Sequence, residues 1–154
     1  MIQQIKDSMG ALRGALESLL ISYQHEASKK TLVVVLDYPD KAAGADRAFL
    51  RLRFMDVSDF RRVPGTFADL QRFKESYSTR ETPVATVVQQ VDIEKKENSL
   101  RIAVSFGSFG ELTFGCRSLS AESRSARANK TSENTWTYHD VDDGKPVDFY
   151  DPFA

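Results

Sequence analysis

The chain has one cysteine, two histidines and one tryptophan among its 154 residues, and its formal net charge is −1. Each scarcity removes a class of explanation. A lone Cys116 has no partner for an intramolecular disulfide. A domain of this length does not need one, since it buries roughly two thirds of the surface its unfolded chain exposes. Cys116 itself falls in the alternating run Leu112, Phe114, Cys116 and reads as a small buried hydrophobe, with no basic partner nearby in sequence to activate it. His25 and His139 lack the spacing of zinc ligands. A net charge so close to zero supplies no general field for nucleic acid or an anionic membrane. The longest apolar run, Leu32 to Leu36, is too short to cross a bilayer, and Met1 to Asp7 lacks the basic stretch and apolar block of a secretory signal. A cytoplasmic protein is the expectation.

Catalytic and cofactor motifs are missing as well. There is no Gly-x-Ser-x-Gly elbow and no glycine-rich phosphate loop, and Gly107-Ser108-Phe109-Gly110 has the composition of a hairpin turn. Asp140, Asp142 and Asp143 beside His139 suggest a metal site, but the oxygen-ligand positions and terminal glutamate of an EF-hand are absent. The reading is therefore of a protein without metal, cofactor or enzymatic activity.

What is present is alternation. From Thr31 to Phe54 and from Val84 to Cys116 apolar and polar residues follow a period of two, the signature of half-buried antiparallel strands. Leu50, Leu52 and Phe54 fall on one face of a strand near Arg47 to Val57, and Phe49, Arg51 and Arg53 on the other. Leu19 to Gln24 suggests a strand pairing with Thr31 to Tyr38, and Val84 to Lys95, Leu100 to Phe106 and Glu111 to Leu119 form a meander whose first turn is Lys96 to Ser99. Ile2, Ile5, Met9, Leu12, Leu16 and Leu19 recur at spacings of three and four, which predicts an amphipathic N-terminal helix of at least three turns, ending near Gly14 to Ser18 and followed by a strand. Thr66 three residues before Asp69 predicts a second, short helix from about Phe67 to Glu75.

These elements predict a single α+β domain over residues 1–154, an antiparallel sheet of about six strands covered by the two helices. Residues 120–134 are almost wholly polar and read as a solvated loop or frayed helix. Residues 135–154 form an acidic aromatic tail whose aromatics are expected to dock on the sheet or on a neighbouring subunit.

Two constellations can carry binding. One is the arginine row Arg47, Arg51 and Arg53 with Phe49, followed by Arg61 and Arg62. Arginine forks suit an acidic protein surface or phosphate, while the plainer reading pairs these arginines across strands with acids such as Asp37, Asp92 or Glu94. The other is the tail, with Trp136, Tyr138, Asp142 and Asp143 as its contact residues.

Ser18 to Tyr23, Leu32 to Tyr38 and Leu50 to Phe60, with the later strands Leu100 to Phe106 and Glu111 to Leu119, give an arrangement that resembles small bacterial β-rich domains of unknown function, including some immunity proteins of toxin systems. The resemblance implies a non-enzymatic protein that binds and neutralises a partner toxin, and it assigns no residue a role. The alternatives are a structural or accessory subunit of a bacterial or phage complex, held by self-association through the N-terminal helix or the tail, and a small-ligand carrier or enzyme using a cavity between sheet and helices.

Overall fold

The computed structural model describes residues 1–38, 47–65, 87–133 and 135–154. Its described residues form eleven strands and one α-helix: β1 (Gln3–Ile5), α1 (Ser8–Arg13), β2 (Leu19–Glu26), β3 (Thr31–Asp37), β4 (Arg47–Met55), β5 (Ser58–Pro64), β6 (Gln90–Lys96), β7 (Ser99–Ser105), β8 (Gly110–Cys116), β9 (Ser118–Ser132), β10 (Thr135–Asp140) and β11 (Pro146–Val147). Sheet A has seven strands, in the order β11-β10-β9-β4-β3-β2 with β1 also paired to β9. Sheet B has four, in the order β5-β8-β7-β6. Every strand pairing is antiparallel.

The expected α+β architecture is thus corrected to a mostly β one, with two packed sheets in place of one covered by helices. Period-two alternation fixes the inner faces. Leu32, Val34 and Leu36 of β3 and Leu50, Leu52 and Phe54 of β4 share one core with Ile102 and Val104 of β7 and Leu112 and Phe114 of β8. Phe54 meets Phe114 across the two sheets at a ring separation of 4.7 Å in an edge-on contact, an arrangement the aromatic quadrupole favours. Apolar alternation cannot distinguish a face covered by helices from one covered by a second sheet, which is why the sequence pattern permitted both.

The N-terminal helix is shorter than expected because its first residues form a strand, while its end at Gly14 falls where the sequence placed it. Gln3 to Ile5 pair with Ala121 to Ser123 of β9, and helical turns follow only over Ser8–Arg13. Asp7 caps this helix by accepting from the Gly10 amide at 2.9 Å. Gly14 closes it, its amide donating to the Gly10 carbonyl at 2.8 Å. Two glycines in a five-residue span weaken helix propagation, and Glu17, with φ of +69°, then turns the backbone out of helical geometry. The expected stripe does not form one buried face: Leu12 is buried, whereas Ile2 and Leu16 are exposed. The short helix expected from Phe67 to Glu75 lies outside the described residues.

The polar segment 120–134 is also corrected. It supplies most of β9, the longest strand, which lies centrally in sheet A with β4 on one edge and β1 and β10 on the other. Both edges are hydrogen-bonded, so backbone pairing organises a segment with little apolar surface. Its small residues Ala121 and Ala126 fit the crowded interior, and its one buried charge, Arg124, is ion-paired. The β6–β7 turn is tighter than the four-residue turn read from sequence, because Lys96 pairs with Ser99 and leaves only Glu97 and Asn98 between them. At the start of β8, Gly110 has φ of +115° and a Cβ there would fall 2.1 Å from the Val63 carbonyl oxygen, so only glycine lets β5 close on β8.

Candidate functional site

The arginine row lies on the outer face of sheet A, but it is not a free surface. Phe49 is fully buried there in a second apolar cluster with Ile21, Val35, Val147, Phe149 and Phe153. The tail therefore docks on the chain's own sheet. Phe149 meets Phe49 edge-on at 5.7 Å and stacks obliquely with Tyr138 at 5.4 Å. Phe153 lies beneath the Arg51 guanidinium, 4.7 Å from its centre.

Each arginine of that strand has its own environment. Arg51 donates through Nε to Glu122 Oε2 at 2.8 Å, directly across the β4–β9 pairing. Arg47 Nε lies 3.6 Å from Oδ2 of the buried Asp37. Arg53 is exposed. Arg61 and Arg62 belong to the other sheet, on β5; Arg61 is exposed, whereas Arg62 lies over the Phe109 ring at 4.2 Å and donates to the Phe109 carbonyl at 3.2 Å. The five arginines are thus not brought together.

In the tail, Asp140 carries the strongest electrostatics. Its carboxylate is fully buried and accepts from Arg124 Nε at 2.7 Å, from the Met1 amino group, and from the Asp142 amide at 2.8 Å. Burial alone would raise its pKa; the hydrogen bonds from the Met1 amino group and Arg124, with those from the amides of Asp142 and Asp143, outweigh burial and hold it well below the usual carboxylate range. Arg124 Nη1 also donates to the Pro152 carbonyl at 3.0 Å, so one arginine ties β9, β10 and the C-terminal segment together. Asp143 accepts from the Lys145 amide at 2.9 Å, and Asp142 is partly exposed near Met1. These carboxylates organise a turn, and among the described residues no group of three His, Cys, Asp or Glu side chains is placed to hold a metal ion.

Trp136 differs from the other tail aromatics. Tyr138, Phe149 and Phe153 pack on sheet A, whereas Trp136 is 40% exposed. It sits on the far part of the β9–β10 ribbon, where Asn129 to Ser132 and Thr135 to Thr137 are all exposed. Trp136 pairs in register with Lys130, whose Nζ stands 6.0 Å from the indole centre.

A second candidate was not visible in the sequence. At the end of the sandwich where β4 turns into β5 and β8 turns into β9, a cleft of about 740 Å³ opens between the sheets. Its wall carries Lys30, Lys96, Arg101 and Arg117, with the carboxylates Asp56 and Asp59. His25 and Phe60 stack at 4.2 Å along it. Cys116 lies at its base, where burial pushes the thiol up to about 11 and leaves it a poor nucleophile. These residues come from five separate segments, and no local spacing relates them.

No protein-family model matches the chain, and no curated protein matches it. Among solved structures it is similar to an uncharacterized protein from Neisseria gonorrhoeae, at 9% identity and a TM-score of 0.46, covering 79% of this chain and 96% of that one. No helix among the described residues is long and apolar enough to cross a membrane.

Proposed function

We propose that the protein acts by contact, as a non-enzymatic binding or inhibitory protein that engages another protein through the β9–β10 ribbon. The observation that carries this reading is Trp136, exposed on a hydrophilic ribbon while every neighbouring tail aromatic is packed on the sheet. Tryptophan is enriched among the few residues that dominate interface energetics, since it offers a large rigid face at small entropic cost. The Lys130 ammonium beside the ring adds a charge for an acidic partner surface, which favours encounter and register. The sequence resemblance to immunity proteins suggests a toxin as that partner. The arginine row drops out as the leading surface because Phe49 is buried and Arg51 is engaged by Glu122 and Phe153.

Self-association remains the rival, without the long amphipathic helix that would have supported it. Light scattering over a range of concentrations separates the two: a stable oligomer of the isolated chain favours the rival. The direct test is co-expression with the product of the adjacent reading frame. A stable heterocomplex that Trp136→Ala weakens about thirtyfold, with unchanged circular dichroism, is the expected result. Unaltered affinity in both Trp136→Ala and Lys130→Ala sinks the ribbon reading.

A further inference from the structure

The cleft at the end of the sandwich has a chemistry of its own, independent of the ribbon. We propose that it binds a small organic phosphomonoester of about mononucleotide size, with the phosphate against Arg101 and Ser58 and the planar body along the His25–Phe60 pair.

Charge selects the anion. Four cationic side chains line the cleft against two carboxylates, an excess of two positive charges in a chain whose net charge is −1. That excess complements a dianionic phosphomonoester. Lys30, Lys96 and Arg117 have no ion-pair partner among the described residues, and Arg101 has only the exposed Asp59, at 3.9 Å. Exposed pairs at that distance are weak, so a phosphate can displace Asp59 from the guanidinium at little cost. Arginine presents parallel N–H groups that match two phosphate oxygens.

Geometry supplies the seat. Gly115 pairs with Ser58 of β5 and with Arg101 of β7, so these side chains converge above a residue with none of its own. A Cβ on Gly115 would fall 2.8 Å from Ser58 Oγ and 3.8 Å from Arg101 Nη1. The glycine therefore keeps a hydroxyl and a guanidinium side by side over bare backbone, which is how a phosphate is approached closely. The volume, about 740 Å³, exceeds what a lone phosphate fills and lies within the range of small-molecule sites. The stacked His25–Phe60 pair supplies an aromatic wall for the remainder.

Backbone strain gathers at the same place. Four non-glycine residues of the described chain have positive φ, and three of them, Lys30, Asp56 and Asp59, line this cleft. Left-handed backbone at such residues persists where the surroundings enforce it, and it concentrates at binding sites.

The test is titration of the whole chain with adenosine monophosphate, followed by amide chemical shifts, with inorganic phosphate, citrate and adenosine as comparison probes. The expected result is saturable shifts at Ser58, Arg101, Gly115 and Arg117, with affinity for the nucleotide at least about tenfold above that for inorganic phosphate or citrate. Arg101→Ala should weaken the nucleotide about tenfold or more, and Lys96→Ala about threefold. Gly115→Ala, whose Cβ would fall 2.8 Å from Ser58 Oγ and displace that hydroxyl, should also weaken binding; Arg101→Ala carries the decision. No saturation by about 1 mM nucleotide overturns the proposal, as does an affinity that Arg101→Ala leaves unchanged or that adenosine matches. Equal affinity for nucleotide and inorganic phosphate overturns the role given to the aromatic wall.

Discussion

On the outer face of sheet A, the tail lays Phe149 and Phe153 over Phe49, and Arg124 joins Asp140 to the Pro152 carbonyl. On the outer face of sheet B, Asp92 and Glu94 of β6 alternate with inward Val91 and Ile93, and Ala103 and Thr113 face each other across β7 and β8 with no comparable cover among the described residues. Both faces arise from the same period-two pattern. The difference is that strand β4 places a phenylalanine where β7 and β8 place alanine and threonine, and a residue as large as Phe49 must be covered by something. The third layer on sheet A is therefore written in two distant pieces of sequence, Phe49 on β4 and the segment of Phe149 and Phe153 near the end of the sequence.

The sharpest way to break this comparison is to remove the anchor on one face and a matching residue on the other. Phe49→Ala should destabilise the fold by about 3–5 kcal/mol, because a fully buried aromatic is lost and the cavity lies beneath the tail. Thr113→Ala, on the partly exposed outer face of sheet B, should stay within about 0.5 kcal/mol. Urea unfolding of both variants measures the contrast. If Phe49→Ala costs less than about 1 kcal/mol, the tail is not an integral layer of the fold.

Next in size is the buried ion pair. Arg124→Ala leaves Asp140 buried with fewer partners and should cost about 3 kcal/mol. It also carries a pH signature. The folded-state pKa of Asp140 is depressed, so on acidification the unfolded chain takes up this proton before the folded chain does. The stabilisation is complete above the ordinary carboxylate pKa of about 4 and is lost as pH falls from there toward the folded value. Arg124→Ala should flatten that acid limb. Urea midpoints measured from neutral pH down into the acid range test this, and an unchanged slope would mean that Arg124 does not hold the carboxylate ionised.

How much of this was legible beforehand follows from the range of each interaction. The inner faces of β3, β4, β7 and β8 could be read because alternation is local: Leu50, Leu52 and Phe54 announce their shared face within five residues. The N-terminal stripe misled over its first turns, because spacing alone ignores Gly10 and a competing strand edge on β9, whereas the helix end at Gly14 and the strand after it were legible. Segment 120–134 reads as a loop or frayed helix because the apolar criterion is blind to a central strand stabilised by backbone pairing on both edges. The arginine row looked exposed because nothing near Phe49 in sequence names Phe149 as its cover. The cleft was invisible for the same reason, since Ser58, Arg101 and Gly115 meet only through the β5–β8–β7 register.

Phe153 refines the layer further. It is buried at the end of the tail, against sheet A and under Arg51, and Phe153→Ala should cost about 2 kcal/mol, less than Phe49→Ala because the surrounding segment can relax toward solvent. Arg51→Ala, which removes a mostly buried pair with Glu122 and the guanidinium above that ring, should cost about 1 kcal/mol. A double-mutant cycle between the two isolates their coupling; additive effects would mean that the ring and the guanidinium do not support each other.

The smallest expected effect is the most discriminating. Arg101 and Lys96 stand in the end cleft with exposed or partly exposed side chains, and Arg101 has only the distant Asp59 as an ion-pair partner among the described residues. Neither should contribute to folding, so Arg101→Ala and Lys96→Ala should each change stability by no more than about 0.5 kcal/mol. A protein retains uncompensated cations around a concave site at some electrostatic disadvantage, since like charges gathered without partners repel. Two outcomes separate structural from ligand-directed charge. If Arg101→Ala destabilises the chain as Arg124→Ala does, the cleft charges belong to the scaffold and the contrast with the buried pair of sheet A disappears. If stability is unchanged, or rises slightly as repulsion is relieved, those charges are not part of the scaffold, and the nucleotide titration decides whether a ligand uses them.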